Sequence, residues 1–507
     1  MRHASLGLAV AAAAPFLLLA CGTSGKVSGS GAAATPGTGT GGAAGAPATG
    51  GAAGAPATGG AAQASTGGTS GGGATGTGPW VYPLKLASGQ RHLVDQNDHP
   101  FLLIGDAAWS LMVSVSEADA KTYLADRASR GFDAVLVNLI EHKFAPGAPA
   151  NAAGDLPFTG TLSGGALDFS TPNDAYFAHV DQVVNDAAAR GIVVLLTAAY
   201  LGYNGGDEGW YTEMQANGAS RLRTYGTYVG QRYQGFPNIV WVGGGDDNPP
   251  DKSLTTAVES AVAAADPNHL HTAHASNGTA AQDEWSGSSW LTVNNIYGYP
   301  GNNQLIYTMA LAQYGRSDWK PFFLIESTYE HSPFYSAPAT LIRQQAYEAV
   351  LNGGFGEVFG NEWVWPFGAV GEDGATHAWT SALQSQGAQD QTRLAALLGA
   401  RNWPALVPDS GGTFLASAGG SGSTGAHVSA ALTADGRLAL AYTPGSAVTL
   451  ALSKLAGSTT ARWYDPTAAS FTAISGSPFA NSGSHTFMTP GKNAGGDADW
   501  VLVLEAN

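Results

Sequence analysis

The sequence predicts an α/β protein: a (β/α)8 barrel of the TIM type followed by a small all-β sandwich. Three observations predict it. From Trp80 to Pro408 the chain alternates short apolar runs with segments of helical period, the pattern of a parallel sheet with crossover helices. Eight such apolar runs can be read in that stretch. From about residue 413 the helical period disappears and short alternating runs take over.

The eight runs are FLLIGDAAW (101–109), AVLVNLI (134–140), IVVLLTAAY (192–200), IVWVGGGD (239–246), LHTAHAS (270–276), LTVNNIYG (291–298), PFFLIES (321–327) and GEVFGNEW (356–363). Between them lie helices with readable ends. One opens at Ser116, with Asp119 three residues on, and stops before Gly131. A second opens at Thr171 with Pro172 in its first position. Its apolar face is Tyr176, Phe177, Val180, Val183, Val184 and Ala187, and it ends at Gly191. A third runs from about Pro338 to Asn352, ahead of Gly353 and Gly354. The fifth crossover, NGTAAQDEWSGSS, shows little helical pattern and reads as irregular. The rival architecture, a doubly wound open sheet, would carry a Gly-rich phosphate loop after its first strand, and GDAAWSL has none. In the sandwich, VSAALTADGRLALAYTP alternates around Asp435-Gly436 and reads as a type I′ hairpin, with TARWYDP and DWVLVLEAN as later strands.

The chain divides into four segments. Residues 1–21 form a lipoprotein signal peptide, 22–78 a linker, 79–412 the barrel and 413–507 the sandwich. The N-terminal Ala/Leu run is too short and too early for a structural membrane span. It ends in Leu18-Leu19-Ala20-Cys21, which resembles the lipobox of bacterial lipoproteins. That resemblance implies cleavage before Cys21 and lipidation of its thiol, hence a cell-envelope location. Cys21 is the only cysteine of the 507 residues, so the mature chain has no disulfide and depends on packing. The linker is almost entirely Gly, Ala, Thr, Ser and Pro, with the nonapeptide GGAAGAPAT repeated at 41–49 and 50–58. Such a segment buries no apolar surface and serves as a tether. GTSGG at 68–72 matches a serine-hydrolase elbow formally, but it lacks the flanking strand and helix that give the motif meaning.

A net charge of −16 argues against nucleic acid and anionic membrane surfaces as partners. Only 12% of residues are charged, while there are 13 Trp and 18 Tyr, a balance suited to neutral, hydroxyl-rich ligands. In a barrel of this kind, chemistry sits where the C-terminal ends of the strands converge. Those ends present Asp106 and Trp109; Asn138, Glu141 and His142; Tyr200 and Tyr203; Asp246 and Asp247; His274; Tyr297 and Tyr299; Glu326 and Tyr329; and Asn361, Glu362, Trp363 and Trp365. Carboxylates and aromatic rings dominate. Paired carboxylates suit glycoside hydrolysis, in which one protonates the leaving oxygen and the other attacks the anomeric carbon or activates water.

Strands four and seven lie three steps apart around a ring of eight, on facing arcs of the mouth. Asp246 ends the fourth and Glu326 the seventh, each after a continuous apolar run. Taken singly, Asp246 reads equally well as turn chemistry before Asn248-Pro249, and Glu326 as a paired structural carboxylate. Taken together, at those two strand ends, they favour catalysis. The glycines Gly243, Gly244 and Gly245 would leave room for a sugar beside Asp246.

Five stretches, GDAAW (105–109), GFDAVLVNL (131–139), FPNIVWVGGGDDNP (236–249), PFFLIESTYE (321–330) and WYDP (463–466), occur in this order along the chain. With them the chain resembles the retaining clan of (β/α)8 glycoside hydrolases, and more closely the apiosidase-like glycoside hydrolases. The resemblance implies a retaining mechanism, with Asp246 as acid/base and Glu326 as nucleophile. The clan usually places Asn-Glu at strand four, whereas this chain has Gly-Asp, a shorter carboxylate. It also implies a C-terminal module of the collagen-binding type, which we read as a domain that packs on and stabilises the barrel. Asp106, Trp109, Asn138, Glu141, His142, Tyr200, His274, Tyr297, Tyr329, Trp363 and Trp365 are the expected substrate-binding residues. Asp247 is the weaker alternative to Asp246, since adjacent side chains point to opposite sides. Glu330 is expected behind the site and Glu362 near sugar hydroxyls. With no HExxH or Cys/His cluster, the expectation is a monomeric enzyme without metal or cofactor. A polysaccharide-binding lipoprotein that has lost hydrolysis is the rival reading, and a peptidase a weaker one.

Overall fold

The computed structural model describes residues 80–299, 306–418 and 427–506. All of these lie in one compact unit, Gly68–Asn507. The expected signal peptide, Cys21 and the expected linker lie outside the described residues.

The eight expected strands form one sheet: β1 (Leu103–Ala107), β2 (Ala134–Asn138), β3 (Val193–Thr197), β4 (Ile239–Gly244), β5 (Leu270–His274), β6 (Asn294–Tyr297), β7 (Phe322–Glu326) and β8 (Gly356–Phe359). They pair in the order β5-β4-β3-β2-β1-β8-β7-β6, all parallel. Between β5 and β6 the ring closes through a side chain. Asn295 Nδ2 donates to Thr272 Oγ1 at 2.9 Å and to the Ala273 carbonyl at 2.6 Å. The pleat then sorts the residues. Leu103, Leu136, Leu195, Val240, Val242, Phe323 and Ile325 share the apolar cluster of the barrel interior. Val135, Val137, Val194, Leu196 and Trp241 belong to a separate cluster between sheet and helices.

The helices that matter here are α1 (Glu117–Ser129), α2 (Asp174–Ala188), α3 (Tyr211–Tyr233), α4 (Lys252–Ala265), α5 (Ile306–Tyr314), α6 (Ala339–Leu351) and α7 (Gln386–Gly399). Ser116 caps α1 as expected, accepting from the Asp119 N–H at 3.2 Å. The start of α2 differs from expectation. Its cap is Asn173, because Thr171 and Pro172 are held in the preceding loop. There the Thr171 hydroxyl accepts from the Gly160 N–H, and Pro172 bridges to Phe158. The expected apolar face of α2 is buried throughout. The fifth crossover is largely irregular, as expected, and holds a short helical turn at Ala281–Glu284.

The second part is two antiparallel sheets built from β9 (Leu406–Pro408), β10 (Leu415–Ala418), β11 (Ser429–Thr433), β12 (Leu438–Thr443), β13 (Ala447–Ala451), β14 (Thr459–Asp465), β15 (Ser470–Ala473), β16 (Ser484–Met488) and β17 (Trp500–Ala506). One sheet runs β9-β11-β12-β17-β14-β15 and the other β10-β13-β16. Leu406–Pro408, assigned from sequence to the barrel side, already pairs with β11. The hairpin β11–β12 forms, but its turn is not type I′. Only Gly436 has positive φ (69°), whereas that turn requires it at both central residues.

Helix α6 carries the sandwich. Ile342, Tyr347 and Leu351 share an apolar cluster with Leu440, Tyr442 and Val501. Within that contact Arg343 is buried, its Nε and Nη2 donating to both oxygens of Asp499 at 2.8 Å. Its Nη1 reaches Asp390 at 2.7 Å on α7, and Nη2 also reaches Asp497 at 2.7 Å.

Candidate active site

Each of the three glycines at the end of β4 fits tightly against protein atoms rather than clearing space for ligand. A Cβ on Gly244 (φ +78°) would lie 2.3 Å from the His274 carbonyl oxygen, and one on Gly245 would lie 2.3 Å from the Leu201 nitrogen. A Cβ on Gly243 would meet Glu259 at 2.8 Å. The expectation that they make room for a sugar is therefore corrected. Gly244 lets the end of β4 press against β5, Gly245 lets the chain pass the loop after β3, and Gly243 leaves room for the Glu259 side chain of α4. The two aspartates after them diverge. Asp246 is partly open, and its ionisation responds to Glu326, His274 and Tyr297. Asp247 is buried among loop atoms, where burial, opposed by the Asn248 N–H and aided by Glu284, raises its pKa.

Glu326 is the last residue of β7 and is buried. An irregularity in the β6–β7 register sets it opposite Tyr297. Its Oε1 accepts from the Tyr299 hydroxyl at 2.6 Å, and its Oε2 lies 2.8 Å from His274 Nε2. His274 ends β5 on the inward face and is fully buried. Burial opposes its protonation, but hydrogen bonding to Glu326 and the charges of Glu326 and Asp246 outweigh that and raise its pKa. Burial pushes Asp246 up to about 7, the Glu326 charge adds to this, and His274 and the Tyr297 hydroxyl pull against it. Asp246 Oδ1 and His274 Nδ1 are buried without hydrogen-bond partners.

Aromatic rings wall this group. The Trp109 indole N–H donates to the Tyr329 hydroxyl at 2.8 Å, and its ring lies 5.8 Å from Tyr200 and 5.7 Å from His274. Tyr297 packs 4.7 Å from His274. Tyr329 fits because residue 360 is glycine, where a Cβ would fall 2.3 Å from its ring. Trp365 donates to Glu362 at 3.1 Å and meets Phe144 edge-on at 5.1 Å. Asn138, inward at the end of β2, is buried with its Oδ1 unpartnered.

Comparison with known proteins identifies the family of the barrel. The family described as "Apiosidase-like, catalytic domain" matches residues 87–405. The chain belongs to that family. A second family, "Putative collagen-binding domain of a collagenase", matches residues 414–505 of this apiosidase-like protein. Among solved structures, one titled "Glycoside hydrolase" is 21% identical with a TM-score of 0.72, covering 85% of this chain and 99% of its own. A glycoside hydrolase family 5 protein from Bacteroides vulgatus ATCC 8482 is 22% identical with a TM-score of 0.72, covering 83% and 93%. No curated protein matches. At such identity these structures establish the barrel-plus-sandwich fold alone.

Several expected substrate residues of the apiosidase-like chain sit elsewhere. Asp106 falls on the outward pleat of β1, where it accepts from the Tyr123 hydroxyl at 2.5 Å and pairs with Arg127 at 3.4 Å on α1. His142 is held in the loop after β2, with one ring nitrogen 2.6 Å from the Asp207 carbonyl, the other 2.9 Å from Glu213, and its ring against Trp210. Glu141 braces the same loop, accepting from Ser110 at 2.6 Å and from the Ala145 N–H at 2.5 Å. Trp363 is sandwiched between His331 at 3.7 Å and His377 at 4.5 Å. Glu330 lies behind the site as expected, accepting from the Gly387 N–H at 3.0 Å. Tyr299, the second tyrosine of NIYGYP, is a strand-end residue that the expected substrate set lacks, although it contacts Glu326 directly. Tyr335 and Phe144 sit in loops without periodicity, and no sequence signal points to them.

Proposed function

We propose that this protein is a retaining glycosidase in which Glu326 is the nucleophile and Asp246 the acid/base. The observation that carries the reading is the asymmetry of the pair. Glu326 receives two hydrogen bonds, from Tyr299 and His274, while burial and the Glu326 charge keep a proton on Asp246. Asp246 gives its proton to the glycosidic oxygen as a Glu326 oxygen attacks the anomeric carbon and the C–O bond breaks. Water then attacks the glycosyl ester. Asp246 takes the water's proton, and Glu326 leaves as carboxylate. His274 Nε2 and the Tyr299 hydroxyl hold the Glu326 carboxylate in position.

Membership of the apiosidase-like family supports an apiosyl or similar side chain of a plant or bacterial polysaccharide as substrate. We further propose that the mature protein is monomeric and anchored in the cell envelope by lipid on Cys21. Incorporation of a fatty-acid label that is lost in Cys21→Ser tests the anchor. The hydrolase reading is tested with Glu326→Gln on a panel of 4-nitrophenyl glycosides, apioside first, and on pectic glycans. Unchanged turnover would overturn it. Proton NMR of the first-formed anomer reports retention.

A further inference from the structure

A cavity of about 490 Å³ lies where the underside of the barrel meets the sandwich. Gly353 and Gly354, which lead into β8, are in its wall, so it sits at the N-terminal ends of the strands, opposite the catalytic mouth. Two adjacent side chains there have bonding capacity to spare. Arg91 makes no ion pair among the described residues. Its guanidinium carbon is 3.9 Å from the centre of the Tyr314 ring and 4.4 Å from that of Trp319. Its Nη1 donates to the Tyr314 carbonyl at 2.9 Å, at the C-terminus of α5. These contacts fix the group in place and use one donor, while Nε and Nη2 have no acceptor among the described residues. His92 is only 5% exposed, yet its ring makes no hydrogen bond among the described residues. Burial lowers its pKa, so at neutral pH one ring nitrogen donates and the other accepts. A buried polar group without a partner calls for one, and here the cavity is the open side. The half-buried Trp403 ring, which His92 meets edge-on at 5.5 Å, forms an aromatic wall. Asp435 also borders the cavity, but its Oδ1 accepts from the Thr433 hydroxyl at 2.6 Å and the Arg437 N–H at 3.0 Å within its own turn.

We propose that this cavity is a second carbohydrate site, separate from the catalytic mouth, which binds a sugar carrying a carboxylate. The Nε and Nη2 edge of Arg91 offers two parallel N–H donors, the arrangement that a carboxylate accepts in fork geometry. A ring hydroxyl both donates and accepts, as the uncharged His92 ring does. Trp403 supplies apolar surface for the C–H groups of the sugar. The guanidinium is already held by Tyr314 and Trp319, so little freedom is lost when the ligand arrives. The site goes beyond the hydrolase reading and does not depend on it, because its occupancy is measured without turnover.

Titration calorimetry on the protein compares a galacturonate trimer with the matching galactose trimer, which differs only at C6. The wild type is expected to bind the galacturonate trimer at least about tenfold more tightly than the galactose trimer. Arg91→Gln is expected to weaken binding of the galacturonate trimer about tenfold. Arg91 also braces α5, so a second variant leaves it in place. Val407 borders the cavity and is 39% exposed, and Val407→Glu sets a negative charge beside the ligand. It is expected to weaken the same binding at an unchanged melting temperature, with turnover on the glycoside panel unaltered. Unchanged affinity in either variant that keeps its melting temperature puts the sugar elsewhere and overturns the site. Equal affinity for the two trimers, no binding by the wild type, or inorganic phosphate binding as tightly as the galacturonate trimer also overturns it. If no panel glycoside is cleaved, the hydrolase reading falls alone, and the titrations still decide this site.

Discussion

Two buried charged clusters in this molecule have opposite characters. At the barrel–sandwich contact, the Arg343 guanidinium faces Asp499, Asp390 and Asp497, and Asp499 also accepts from Tyr442 at 3.0 Å. Every charge there meets its opposite in good geometry. At the mouth, Glu326 and Asp246 are two carboxyls served by a single histidine, which contacts Glu326, and Asp246 Oδ1 and His274 Nδ1 have no partner. A satisfied cluster fixes two surfaces together. An unsatisfied one carries strained protonation and open hydrogen-bonding capacity, which a substrate can use.

Substitutions on each side sharpen the contrast. The largest effect is expected for Glu326→Gln, with kcat on a cleavable glycoside falling at least about 10⁴-fold at unchanged melting temperature. Arg343→Ala is expected to do the reverse. It leaves buried carboxylates uncompensated and costs about 3–5 kcal/mol of stability in denaturant titration, while kcat at low temperature is retained. Asp246→Asn should cost about 10²–10³-fold on a saccharide. As the proposed acid, Asp246 must be protonated and its pKa is raised to about 7, so wild-type activity should fall as pH rises through that region. The variant's pH profile should lack that limb. Tyr299→Phe removes one donor to Glu326 and is expected to cost about ten- to a hundredfold in kcat/KM. The smallest effect is expected for His142→Gln, because both ring nitrogens and one side of the ring are spent on loop packing. Its kcat/KM should stay within about twofold of wild type.

Much of the barrel was legible because its signals are local. Strand β4 shows as an unbroken apolar run, and α1 shows its cap in Ser116 and Asp119. Asp246 and Glu326 stand out once the strands are counted, because each carboxylate closes an apolar run. Asp106 misled for a related reason. It too stands at a strand end, but one pleat position turns it towards Arg127 and away from the mouth. The role of Gly243 to Gly245 was misread because a clash with atoms of β5, of the loop after β3 or of α4 cannot be seen along one sequence.

By itself the sequence determined the order of strands and helices, the sandwich at the C-terminus and the placement of two carboxylates at the ends of β4 and β7. Apolar period and turn residues act within a few positions of one another, and a barrel's handedness and ring order result from them. The tertiary structure alone decided what those carboxylates experience. It set His274 and Tyr299 against Glu326, left Asp246 unpartnered on one oxygen, and stacked Tyr335 on Tyr299. Charge, desolvation and stacking depend on distances through space, and those exist only once the ring has closed.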